Sequence, residues 1–233
     1  MKSRWLLVAL LLIALCFSSF TMAASYPSKP IQLIVPFGAG GATDLAARSM
    51  AAVLPKYIGE TIVVVNKPGA GGAIGVEYVV RSKPDGYTMC MAAIASNQLG
   101  PAFNTSLPFE YDECTFIARV QLSPGVIAVK KDAPWKTVDD LLADIRKHPG
   151  TIMYGSSGIG SLHTMGANLL LKAAGINLND AIHIPFNSGA EQATAIIGGH
   201  TNFSYINLSE VISNVRNGDI KLLAVAAPER LAD

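Results

Sequence analysis

The chain has 233 residues, half of them hydrophobic and 15% charged, with a formal net charge of +1. That length can bury one large core or two modest ones. No basic patch stands out, so nucleic acid is not expected as a partner.

Residues 1–25 have the layout of a secretory signal peptide. Lys2 and Arg4 give a positive start, Trp5 to Phe17 is an apolar run, and Thr21-Met22-Ala23-Ala24 is a small-residue cleavage zone. The run is shorter than the ~20 residues that span a bilayer. Leu15 before Cys16 is too bulky for the usual lipoprotein signal. The segment carries two of the 18 basic residues and no acidic one, so its removal leaves 16 against 17, a charge of −1. Export is therefore expected. Cys90 and Cys114 remain after cleavage, and an exported protein can join such a pair. Cys90 also sits in the apolar run Thr88-Met89-Cys90-Met91-Ala92, which suits a buried free thiol. Both readings stay open, with free thiols slightly favoured.

Ile31 to Val35 reads as a buried strand ended by Pro36. A helix is expected from about Thr43 to Tyr57, with Met50, Val53, Leu54 and Tyr57 on one face. Thr61 to Val65 is the next strand, Ala73 to Ser82 a helix, and Thr88 to Ala93 a third strand. Leu99 to Glu113 lacks periodicity and reads as a connection. Phe116 to Val120 and Val126 to Val129 read as strands split by Ser123-Pro124-Gly125. Thr137 caps a helix with Val138, Leu141, Leu142 and Ile145 on its apolar face, and Asp140 completes a capping-box pattern. Strands are then expected at Ile152–Gly155, Ala181–Ile184, Phe203–Ile206 and Leu222–Ala226. Helices near Ser161–Ala174, Gly189–Ile197 and Ser209–Asn217 separate them, and Gly175 and Gly218 stand where helices end in glycine. This alternation predicts an α/β fold with mainly parallel sheets flanked by helices.

Three strand-to-helix turns are rich in glycine. They are Phe37 to Asp44, Pro68-Gly69-Ala70-Gly71-Gly72, and Gly155-Ser156-Ser157-Gly158-Ile159-Gly160-Ser161. All three fall at the carboxyl ends of strands, where open α/β sheets bind ligands. Glycine admits close approach to the backbone, and the helix beginning there offers free N–H groups and a positive dipole end. Such turns suit an anion; they also suit tight packing, and their number favours a pocket. Asp44 fits equally a helix-start carboxylate and a contact to a ligand amine or hydroxyl. His163 fits equally a first-turn polar residue and a ligand contact.

Several chemistries are excluded. Ile74 and Thr43 stand where a dinucleotide fingerprint needs its third glycine, and no Gly-Lys-Ser/Thr occurs. Ile159 stands where a serine nucleophile elbow needs glycine. His148, His163, His183 and His200 make no metal-spaced pair. No catalytic residue, metal or cofactor is expected.

Together these segments resemble the Bug family of periplasmic receptors, the extracytoplasmic binding components of tripartite tricarboxylate transporters. The resemblance is carried by Tyr26-Pro27-Ser28-Lys29-Pro30-Ile31, by Val35-Pro36-Phe37 through Asp44, by Asn66 to Gly72 and by Pro84-Asp85-Gly86-Tyr87-Thr88. Tyr154-Gly155-Ser156 through His163 and His183-Ile184-Pro185-Phe186 add the second half. It runs in order from about residue 26 to the last. Two departures bear on ligand identity. Family members often have Tyr-Lys-Gly at Phe186-Asn187-Ser188-Gly189, and often an Asp in the strand Phe203–Asn207. Members also run on for several elements beyond Asp233, so the chain is expected to be truncated.

The resemblance implies a two-lobe Venus-flytrap of type II. Lobe one is expected over 26–120, with 222–233 returning to it, and lobe two over 125–221. Loops of both lobes are implied to grip a small carboxylate through N–H groups, hydroxyls and waters. The expected contacts in the first turn are Phe37, Gly40, Gly41, Thr43 and Asp44, followed after the third strand by Ser96 and Asn97. In lobe two they are Ser156, Gly158, Gly160, Ser161 and His163, then Phe186, Gly189 and Asn207. Implied partners are the solute and the membrane components of a tripartite transporter, or a sensor kinase, with the receptor itself a monomer. An exported α/β hydrolase is the alternative. It needs a nucleophile–base pair, and none can be placed from sequence.

Overall fold

A computed structural model describes residues 25–104 and 106–230. The expected signal peptide, but for its last residue, lies outside the described residues, as do positions 231–233.

The first sheet is parallel. It consists of β1 (Ile31–Val35), β2 (Ile62–Asn66) and β3 (Thr88–Cys90) in the order β2-β1-β3. β1 is central, and its run of aliphatic residues follows from cover on both faces. Helix α1 (Ala42–Val53) covers one face, where Ala47 packs on Leu33, Val35 and Met91. One helix was expected to continue to Tyr57. Instead Pro55, which has no N–H to donate, opens a separate short α2 (Pro55–Ile58). On the other face α3 (Ala73–Val80) packs Ala73 and Val76 against Phe109. Cys90 and Cys114, both free thiols, adjoin this cluster. Burial, and then the nearby Cys114, push the Cys90 thiol up to about 12.

The next stretch departs from expectation. A π-helical turn at Ala95–Leu99 leads into the aperiodic connection, which contains a short α4 (Gly100–Phe103) with Pro101 in its first turn, where proline is tolerated. Phe116–Val120, expected as a strand, forms none. Its side chains are exposed, Ile117 by 78%, and its backbone has no ladder partner. A β-favouring composition makes a strand only when another strand is within reach.

The second sheet is built from β4 (Gly125–Lys130), α5 (Val138–Lys147), β5 (Ile152–Ser156), α6 (Leu162–Ala173), β6 (Ala181–Pro185), α7 (Gly189–Gly198), β7 (Phe203–Asn207), α8 (Leu208–Arg216) and β8 (Ile220–Ala226). Its strand order is β6-β5-β7-β4-β8. β5 runs parallel to β6 and β7, and β4 antiparallel to β7 and β8. The second sheet thus has two parallel and two antiparallel pairings, and parallel pairing predominates only across both sheets, with β4 as the exception. Alternate residues of β4 point to opposite faces. Ile127 and Val129 join Leu141, Ile145 and Leu171 under α5 and α6, while Val126 and Ala128 join Ile196, Ile206 and Val211 under α7 and α8. α5 begins in the expected capping box: Thr137 Oγ1 accepts from the Asp140 N–H, and Asp140 Oδ2 from the Thr137 N–H.

The strand at 222–226 does not join the first sheet. β8 pairs with β4 from Lys130↔Ile220 to Gly125↔Ala226 and forms an edge of the second sheet. Gly218, at φ 78°, ends α8, and the Lys131 N–H donates to Asp219 O at 3.0 Å. That tight turn lays β8 directly beside β4.

Candidate functional site

The three Gly-rich turns meet where the two sheets face each other. The Gly38 N–H, after β1, donates to Asn187 O, after β6, at 2.8 Å. Gly71, in the 3-10 turn before α3, has φ 64°, and a Cβ there would overlap Ile159 O and lie 3.3 Å from the Ser161 N–H. Gly158 lies against the N–H of Gly71 in turn.

Within the first turn, Asp44 is a structural hub. Its buried carboxylate accepts from the Gly40 N–H at 2.9 Å, Arg48 Nε at 2.9 Å and Asn66 Nδ2 at 2.8 Å. Asn66 also donates to Phe37 O at 3.0 Å. Burial pushes the Asp44 carboxyl up, but bonds from Arg48, Gly40 and Asn66 outweigh it and hold the carboxyl below its ordinary value. Thr43, in the first turn of α1, is half-buried, as is the ring of Phe37, which flanks Gly72. Ser96 and Asn97 are buried in the π-helical turn after β3, with Ser96 against Gly72.

In the third turn the hydroxyls bond mainly to one another. Ser161 caps α6 by accepting from the Thr164 N–H at 3.2 Å. Thr164 Oγ1 lies 2.7 Å from both Ser156 Oγ and Gly158 O. Ser156 Oγ bonds His183 Nε2 at 2.5 Å, and Ser156 O accepts from the Phe186 N–H. Gly160 has φ 83° and open space where a side chain would be.

His163, Asn207, Gly41 and Gly189 converge on a residue that the motif reading missed, Glu210. Its side chain is only 5% exposed. Oε1 accepts from the Ala42 N–H at 2.9 Å, and Oε2 from the Asn207 N–H at 3.2 Å. His163 Nε2 stands 3.3 Å from Oε2 and 3.0 Å from Asn207 Nδ2. A Cβ on Gly41 would sit 3.2 Å from Oε1, and one on Gly189 would overlap the carboxylate. The starts of α1, α6, α7 and α8 thus surround one carboxylate, and their dipoles present positive ends to it. Burial pushes the Glu210 carboxyl up, but His163 and the N–H groups of Ala42 and Asn207 hold it below its ordinary value. The spacing Asn207-x-x-Glu210 is a capping-box pattern and was the available signal.

Behind His163 lies a buried polar layer. Gln192 satisfies its surroundings with its amide oxygen towards His163 Nδ1 at 2.8 Å and Ser157 Oγ at 3.0 Å, and its amide nitrogen towards Gly155 O. Ser157 Oγ is also 2.6 Å from His163 Nδ1. The serine–histidine pair that sequence could not place therefore exists. Both members are buried and their polar atoms are taken up by Gln192 and Glu210, so the hydroxyl faces a packed network rather than a substrate. Among the described residues no cluster of three His, Cys, Asp or Glu side chains could hold a metal.

A family model described as tripartite tricarboxylate transporter family receptor matches residues 46–233. The chain belongs to this family. It is 34% identical over 96% of its length to a UPF0065 protein of Bordetella pertussis, and it spans 67% of that relative. It spans 64% of the B. pertussis protein BugT, at 29% identity. Among solved structures it superposes on an R. palustris protein with adipate at a TM-score of 0.79 and 26% identity, covering 88% of this chain and 68% of that one. It also superposes on the periplasmic binding protein BugD at a TM-score of 0.77 and 29% identity, covering 88% of this chain and 68% of that one. The family is one of solute-binding receptors, and these solved structures share the helices and parallel-rich sheets described above.

Proposed function

We propose that this chain is the periplasmic solute-binding component of a tripartite transporter and captures a small carboxylate between two lobes. The observation that carries this reading is the meeting of Gly-rich turns and helix starts from both sheets, seen in the contacts Gly38–Asn187, Gly71–Ile159 and Ala42–Glu210. A carboxylate leaving water needs donors for its lone pairs, and helix N-termini supply several at once. Lobe one consists of residues 26–120 around the first sheet. Lobe two begins near residue 125 and includes β8. Thr43, Phe37, Asn97 and Phe186 line the solute, and Gly40, Gly158 and Gly160 let it approach the backbone. Asp44, Ser96, Ser156 and Ser161 hold those turns in shape. The adipate bound by the R. palustris relative supports a carboxylate as the solute class. The protein is exported through a cleaved signal peptide, acts as a monomer and hands its solute to the membrane components.

The test is native mass spectrometry of freshly purified protein, followed by identification of the small molecule released on denaturation. A carboxylic acid at one per chain is expected. Turnover of an ester substrate with no retained ligand would overturn the reading.

A further inference from the structure

The proposed function asks the helix starts of both lobes to receive the solute's carboxylates. One of those seats is already filled from within the chain. The Ala42 N–H at the head of α1 donates to Glu210 Oε1 at 2.9 Å, across 168 residues of sequence and from one sheet's side to the other's. The seat is shaped for this group. Gly41 and Gly189 leave room that any side chain would take, and Asn207 and His163 hold the second oxygen. Burial at 5% exposure prevents water from screening the charge.

We propose that Glu210 is a specificity residue: it stands in for one solute carboxylate, so this receptor prefers solutes carrying a single carboxylate over dicarboxylates of the same skeleton. This rests on the solute-binding reading above. A second solute carboxylate reaching the head of α1 would meet a fixed like charge in a site of low dielectric. Like-charge juxtaposition of this kind weakens binding by roughly 10- to 100-fold or more. The first solute carboxylate goes instead to donors away from the head of α1, at the Gly158–Gly160 turn.

The experiment is calorimetric titration with matched pairs: butanoate and succinate, hexanoate and adipate, benzoate and phthalate. The wild-type protein, Glu210→Gln and Glu210→Ser are compared. In the wild type the monocarboxylate of any pair that binds is expected to bind at least about tenfold more tightly. Glu210→Gln keeps an acceptor for the Ala42 N–H but removes the charge, and should raise dicarboxylate affinity about tenfold. Glu210→Ser empties the seat and should reverse the preference. Retained folding is checked by cooperative melting. If Glu210→Ser does not fold in buffer, added acetate should restore its melt by refilling the seat, without effect on the wild type. A wild type that prefers the dicarboxylate, or a ratio unchanged in both variants, overturns the specificity role and leaves the receptor reading standing. Binding of no carboxylate by any of the three proteins overturns both.

Discussion

Gly71 abuts the carbonyl of Ile159, so that one Gly-rich turn beside the first sheet rests on another beside the second. The backbone at Gly71 is left-handed, at φ 64°, and a Cβ would also overlap its neighbour. Gly71→Ala therefore meets two obstacles, backbone strain and overpacking. It should lower stability by about 1–3 kcal/mol and weaken solute binding as the turns separate. Urea denaturation and calorimetry on the same preparation check this; a variant as stable as the wild type would show that the turns are free to part.

Ser161 and Thr43 should respond differently to loss of their hydroxyls. Ser161 Oγ caps α6 through the Thr164 N–H, so Ser161→Ala should cost about 0.5–2 kcal/mol of stability. Thr43 is half-buried at the start of α1. Thr43→Val should leave stability nearly unchanged and weaken carboxylate binding by about 1–3 kcal/mol, since a donor to a charged group is lost. Denaturation midpoints and binding constants, measured for both variants, separate the two roles.

Acid should destabilise both the first turn, through Asp44, and the contact between the sheets, through Glu210. Asp44 and Glu210 are both held below their ordinary values, so the folded state keeps them ionised at a pH where the unfolded chain binds protons. For depressed carboxyls the stabilisation is fully present above the unfolded value of about 4 and disappears as pH falls through the folded one. Denaturation midpoints should be flat in this contribution from pH 7 to about pH 5 and fall below that. Asp44→Asn and Glu210→Gln should each flatten the acid limb. An acid limb of unchanged steepness in both variants would assign it to other carboxylates.

Removing the α5 cap should leave the site untouched. Thr137→Ala breaks the capping box far from the Gly-rich turns and should lower stability by about 0.5–2 kcal/mol with no change in solute affinity. Loss of affinity in this variant would mean that stability and binding are coupled throughout the chain.

The sequence by itself determined what is local. Aliphatic runs placed β1 and β4, and the Thr137–Asp140 spacing placed the start of α5. The glycines marked the three turns, because positive-φ backbone and close contacts such as that of Gly71 with Ile159 O favour a residue without a Cβ. Tertiary structure decided which of these elements meet. Phe116–Val120 had the composition of a strand and found no partner, while β8 paired with β4 rather than crossing to the first sheet. Asp44 fitted a helix-start carboxylate and a ligand contact equally from sequence, and only the fold shows its carboxylate tied to Gly40, Arg48 and Asn66. Glu210 showed only a helix-capping pattern, and its bond to Ala42 spans 168 positions. A pattern within a few residues reports helix, strand and turn preference, whereas a buried charge is placed by donors brought together from the starts of three separate helices.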